Sequence, residues 1–109
     1  MVEVLLASAS ICFGGACYPA LVGRATPTGA FTLRVLETRA PAYKGDVLAF
    51  HESKDGVFAV HRPPSERRRI NLGAPDDRRR YVTDGCVNVT DAVYEALRTC
   101  CAGEQLTIR

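Results

Sequence analysis

Nine glycines and six prolines cut this 109-residue chain into short apolar runs, most of them no longer than a β-strand. Glycine interrupts regular backbone through its freedom at positive φ, and proline through its fixed φ and missing N–H. A chain divided this way has little room for long helices, and the pattern predicts a set of short strands. Val2 to Ile11 reads as a first strand and Tyr18 to Val22 as a second, joined through Gly14-Gly15. Thr26-Pro27-Thr28-Gly29 reads as a turn, with Pro27 setting φ and Gly29 free to take a positive one. Phe31, Leu33 and Val35 alternate with small or polar neighbours, the period of a half-buried strand. Asp46 to Phe50 and Val57 to His61 are two more strands around Ser53-Lys54-Asp55-Gly56, a hairpin signal. From Arg62 to Arg80 the pattern dissolves into prolines and arginines, a long excursion of the kind that often carries function. Tyr81-Val82 then reads as a short strand before a sharp turn at Thr83-Asp84-Gly85-Cys86.

One helix stands out. Thr90 is a natural N-cap, Asp91 suits the first helical turn, and Val93, Leu97 and Cys100 recur at helical spacing. Gly103 ends the helix and Leu106-Thr107-Ile108 closes the chain as a strand. The expected fold is therefore mainly β, with one α-helix in the C-terminal half, about residues 91–100. Residues 1–109 are expected to form a single domain. Apolar residues make up 47% of the chain and charged residues 24%, enough for one thin core and against disorder. The formal charge of +2 does not mark a nucleic-acid binder, and no run reaches the roughly 18 apolar residues of a membrane span. Met1-Val2-Glu3-Val4-Leu5-Leu6 carries an acid where a signal peptide carries a basic flank. Either the protein is not exported by that route, or the chain is a fragment or processed form.

Five cysteines are an odd set: Cys12 and Cys17, Cys86 alone, and Cys100-Cys101. The simplest partition is four plus one. The four read as disulfide partners or as buried thiols; a zinc site is the sharper alternative, but no paired CxxC spacing is present. Cys86 differs from them. It follows Gly85 in a tight turn shortly before the helix, where substrate can approach and backbone N–H groups can hold an oxyanion. A thiol nucleophile needs a base, and His51 and His61 are the two imidazoles of the chain. Each ends a β segment, so both are candidates for a common rim, the plain alternative being structural histidines. Tyr43 and Tyr18 are candidates for a cleft wall, or for core and rim.

Four blocks together resemble a known family. Thr26-Pro27-Thr28-Gly29-x-Phe31, Gly45-Asp46-Val47-Leu48-x-Phe50-His51, Ala59-Val60-His61-Arg62 and Thr83-x-Gly85-Cys86-Val87-Asn88 are similar, in order and over nearly the whole chain, to the L,D-transpeptidase catalytic domain of the YkuD type. The resemblance implies a YkuD-like β-sandwich or mixed sheet with Cys86 as nucleophile and His61 as its partner. Gly85 is then the turn glycine, with the Cys86 N–H contributing to the oxyanion hole, and Thr83 holds the turn. Asn88 stands where relatives carry Arg or Asn, near substrate or supporting the turn. Asp84 stands where many relatives carry histidine. It either faces Cys86 and disfavours the thiolate, or faces His61 and orients the ring.

The implied reaction is acyl transfer on peptidoglycan stem peptides: a Cys86 thioester forms with release of D-Ala and is resolved by an amine. Water as acceptor would make the site an L,D-carboxypeptidase, and a non-catalytic cell-wall-binding domain or an interaction domain with structural cysteines are the other readings. No cofactor or metal is required, and acylation by carbapenem-type β-lactams is implied. The location implied is the periplasm or cell wall, where oxidising conditions would let Cys12, Cys17, Cys100 and Cys101 pair and leave Cys86 free. Substrate contacts are expected from Asn88, His51 and Arg62. The seven arginines of residues 62–80, against Glu66, Asp76 and Asp77, are either a basic lid for stem-peptide carboxylates or a solvated loop. The run lacks the interleaved aromatics that stack on nucleic-acid bases.

Overall fold

Gly14 and Gly15 both sit at positive φ, 60° and 82°, as the two-residue hairpin turn that matches strand twist requires. In the computed structural model, which describes residues 1–109, this turn joins β2 (Ser10–Phe13) to β3 (Ala16–Pro19). Cys12 lies opposite Cys17, and the two form a disulfide. The single strand expected from Val2 to Ile11 is instead a hairpin. β1 (Val2–Leu5) ends early, the chain turns with Ala9 at φ 47°, and β2 runs back antiparallel to β1. Ala7-Ser8-Ala9 has no branched or aromatic side chain to hold it in a ladder. The second expected strand also shifts: β3 stops at Pro19, which has no N–H to pass onward. Leu21 makes only an isolated bridge, to Asn88.

Two sheets result. The first has the order β3-β2-β1-β9-β4, with β4 at Gly29–Thr32 and β9 at Gln105–Ile108. The second has the order β5-β6-β7-β8: β5 (Arg34–Glu37), β6 (Asp46–Ser53), β7 (Gly56–His61) and β8 (Val87–Asn88). The β1–β9 and β7–β8 pairs are parallel, so both sheets are mixed. Strand alternation aims Val2, Val4, Ile11, Leu106 and Ile108 of one sheet at Leu48, Phe50, Val60 and Val87 of the other, within one buried cluster. Each such side chain contributes about 1.5–3 kcal/mol when fully buried. The mainly β composition expected from the pattern, and the sandwich that the resemblance implies, are the observed architecture. Its expected β7 hairpin forms at Lys54-Asp55, but Tyr81-Val82 is not a strand; the short strand lies after Cys86 instead.

The C-terminal helix and a second, shorter one cover this frame. Here α2 (Asp91–Cys101) starts at Thr90, whose Oγ1 accepts from the Val93 N–H at 3.2 Å. It buries Val93, Tyr94, Leu97 and Cys101, and Cys100 and Cys101 are joined by a disulfide. The unexpected helix is α1 (Glu66–Asn71), inside the arginine-rich excursion. Glu66-Arg67-Arg68-Arg69 are good helix formers, and Ser65 caps them by accepting from the Arg68 N–H at 3.3 Å. Buried Leu72 and the Arg69–Asp91 ion pair hold α1 against the body.

Five of the seven arginines of this excursion are tied to the body, while Arg67 and Arg78 are exposed. Arg62 pairs with Asp46 and Glu95, Arg68 with Asn88 and Arg69 with Asp91. Arg79 donates to the Ser8, Ala9 and Ala74 carbonyls, and Arg80 to that of Ala7. These side chains stitch the excursion onto both sheets.

Candidate active site

Ala59 and His61 project from the outer face of β7, because alternation sends Val60 into the core between them. Parallel pairing sets Val87 against Val60 and Asn88 against His61. In the same register Cys86 comes beside Ala59, whose N–H points at Cys86 Sγ at 3.4 Å. Cys86 and His61 are thus diagonal neighbours on one face, two residues out of register across adjacent strands. Both line one cavity of about 170 Å³, with Leu36, Tyr43, Val47, Val57 and Ala59. Cys86 is the one free cysteine.

The turn that presents Cys86 is tightly specified. Thr83 Oγ1 donates to the Cys86 carbonyl at 2.6 Å and accepts from the Gly85 N–H at 3.1 Å. Neither bond uses the Cys86 N–H. Gly85 has φ 145°, and a Cβ there would lie 2.3 Å from the Phe58 ring, so only glycine fits. The turn is anchored from a distance by Thr26, whose Oγ1 donates to the Gly85 carbonyl at 3.1 Å and accepts from the Gly23 N–H at 2.9 Å. Gly23 bridges to Thr83 so closely that a Cβ would sit 1.8 Å from the Thr83 carbonyl oxygen. Thr26, Gly23 and Phe58 therefore belong to the site's frame. Of these, only Thr26 lies in one of the four blocks that carry the family resemblance.

His61 is buried and both ring nitrogens are engaged. Nδ1 lies 2.7 Å from the Arg62 carbonyl, which can only accept, so Nδ1 carries the proton. Nε2 is then the acceptor, and the Asn88 amide donates to it at 3.3 Å. The Tyr43 ring packs on the imidazole at a centroid distance of 4.5 Å. Burial pushes the His61 pKa down, opposed by the Arg62 carbonyl bond and reinforced by the Arg68 charge. Burial pushes the Cys86 thiol up, partly offset by the Ala59 N–H and Arg68. Both shifts favour a neutral thiol beside a neutral imidazole.

Other expected site residues lie elsewhere. A β-bulge between Ala49 and His51 breaks the alternation of β6 and turns His51 away from the His61 face. His51 packs edge-on to Phe31 and against Phe58, each at 5.8 Å between centroids, so the two histidines share no rim. Arg62 is buried, with its guanidinium 4.3 Å over the Tyr94 ring and paired with Asp46 and Glu95. Its carbonyl serves the site while its side chain does not. Asn88 is fully buried beside His61 and does not line the cavity, which leaves it a supporting part. Asp84 is exposed and is not a partner of His61; its charge adds slightly to the upward push on the Cys86 thiol. No three His, Cys, Asp or Glu side chains converge as metal ligands do.

No family model and no curated protein matches the sequence. Solved structures do. An L,D-transpeptidase from Mycobacterium smegmatis aligns over 99% of this chain and 57% of its own, with a TM-score of 0.63 and 17% identity. The fold is that of L,D-transpeptidases. An L,D-transpeptidase from Xylanimonas cellulosilytica DSM 15894 gives a TM-score of 0.65 at 17% identity, over 99% of this chain and 59% of that one. An LD transpeptidase in complex with imipenem gives 0.62 at 16%, over 99% and 57%. The chain spans little more than half the length of these L,D-transpeptidases.

Proposed function

We propose that this chain is a cysteine-dependent L,D-transpeptidase domain acting on peptidoglycan stem peptides outside the cytoplasmic membrane. The observation that carries the reading is the shared cavity: the one free thiol, Cys86, and the buried imidazole, His61, line it together. The fold likeness supports the same reading. No helix is long and apolar enough to cross a membrane.

His61 Nε2 exchanges the Asn88 amide for the Cys86 thiol proton while Nδ1–H stays on the Arg62 carbonyl. The thiolate attacks the stem-peptide carbonyl carbon, and the Cys86 N–H, left out of the turn's own bonds, donates to the oxyanion. Collapse breaks the C–N bond to D-Ala, and the imidazolium gives its proton to the leaving amine. A neighbouring stem's amine then attacks the thioester. Its C–S bond breaks, the acyl group passes to nitrogen, and the proton released in that attack returns through His61 to sulfur. Tyr43, Leu36, Val47 and Val57 supply the cavity wall that contacts the donor. A β-lactam carbonyl suits the same attack, as the imipenem complex of one fold neighbour suggests.

Incubation of the protein with purified sacculi, followed by mass analysis of the muropeptides, tests the reading. New crosslinks with loss of terminal D-Ala are expected, and none with Cys86→Ala. Loss of D-Ala without crosslinks would make the enzyme a carboxypeptidase. Muropeptides identical with wild type and Cys86→Ala would refute catalysis at this thiol.

A further inference from the structure

We propose that Arg68 is a positioning residue for the Cys86–His61 pair: it holds the Asn88 amide in the one orientation that offers a donor to His61. The purpose of this arrangement rests on the acyl-transfer reading, although its test requires no turnover.

The chain of bonds has a forced direction. A guanidinium only donates, so the contact from Arg68 Nη1 at 3.1 Å fixes Oδ1 of Asn88 toward α1. Nδ2 then faces His61 Nε2 at 3.3 Å, and Nδ1–H faces the Arg62 carbonyl at 2.7 Å. Asn88 is fully buried, and its backbone N–H and carbonyl are both taken by Leu21, at 2.9 and 2.8 Å. A flip of the side-chain amide is its remaining freedom. With Arg68 gone, the flipped amide would aim Oδ1 at Nε2, a pairing that only a protonated Nε2 can satisfy. The base would then be occupied by a proton before the thiol could give one up.

Charge acts the same way. The Arg68 guanidinium favours a neutral His61 and an ionised Cys86. The other titratable groups around the ring are Tyr43, packed on its face, and Cys86 on the same sheet face. The Arg62 guanidinium is turned to Asp46 and Glu95, and Asp84 is exposed beyond the cysteine. The helix itself is held by the Ser65 cap, Leu72 and the Arg69–Asp91 pair, none of which needs the Arg68 side chain.

Arg68→Met removes donor and charge; Arg68→Gln keeps a donor and removes the charge. NMR of the imidazole nitrogens reads the His61 tautomer and titration, and the pH dependence of iodoacetamide alkylation reads Cys86, the one free thiol. In Arg68→Met we expect a mixed tautomer, upward shifts of both titrations and carbapenem acylation slower by about tenfold to a hundredfold. Arg68→Gln should keep the tautomer while its titrations shift. Unchanged tautomer and titrations in folded Arg68→Met overturn the proposal; should that variant fail to fold, unchanged titrations in Arg68→Gln do so. Shifted titrations in a protein that no carbapenem acylates would retain the positioning role and remove the transpeptidase reading.

Discussion

Asn88 stands directly opposite His61 in the parallel β7–β8 pairing, with its amide nitrogen 3.3 Å from the imidazole Nε2. The imidazole proposed as base is thus capped at rest by a neutral donor, which on that reading must yield before a thiol proton can arrive. Asn88→Ala should leave a buried acceptor unpaired, costing about 1–3 kcal/mol of stability, and should slow acylation. Asn88→Asp should raise the His61 titration, because a carboxylate facing Nε2 favours the imidazolium. Urea unfolding and imidazole NMR check the two outcomes.

The two titrations have opposite consequences for stability. His61 is lowered from 6.5 by burial, so the unfolded chain binds the proton more readily and stability falls as pH drops below 6.5. Cys86 is raised from 9.0 by burial. The unfolded chain loses that proton first, and stability falls as pH rises above 9.0. Between these limits both contributions are intact. Urea midpoints across the pH range should show this plateau, and alkylation of Cys86 should rise into alkaline pH with no fast phase at neutrality. A fast neutral phase would indicate a resting ion pair.

Gly85→Ala should be among the most damaging single changes away from Cys86 and His61. The added methyl would meet the Phe58 ring at 2.3 Å on a backbone with φ 145°, and we expect a loss of about 3 kcal/mol or more. Adding Phe58→Ala should relieve the clash but not the backbone cost. A double-mutant cycle by chemical denaturation gives the coupling directly.

Thr26 offers a subtler test, since its hydroxyl bonds neither the Cys86 nor the His61 side chain. Thr26→Val removes the bonds to the Gly85 carbonyl and the Gly23 N–H and should cost about 1–3 kcal/mol. It should also slow acylation by loosening the Cys86 turn, while Thr26→Ser should restore most of the rate. Equal acylation by wild type and Thr26→Val would remove this anchor from the site's frame.

Much of this frame was legible in the chain because local chemistry dictates it. The Lys54-Asp55 hairpin, the Thr90-capped helix and the Gly85-Cys86 turn each follow from residues adjacent in sequence. What stayed hidden depends on long-range pairing. Nothing local shows that β6 bulges beside Phe50, so period-2 alternation misassigns the face of His51. Arg62 to Arg80 looks solvated because the partners of its arginines (the Ala7 to Ala9 carbonyls, Asp46, Asn88 and Asp91) lie far off in sequence. The role of Asn88 was open for the same reason: its contacts come from α1 and β7 together.

The central claim is that Cys86 is a nucleophile activated by His61. Intact-mass analysis after incubation with a carbapenem tests it most directly, using wild type, Cys86→Ala and His61→Ala. One adduct is expected on wild type, none on Cys86→Ala, and formation slowed by about a hundredfold or more on His61→Ala. An adduct that persists in Cys86→Ala, or one that forms at the wild-type rate in His61→Ala, would contradict it.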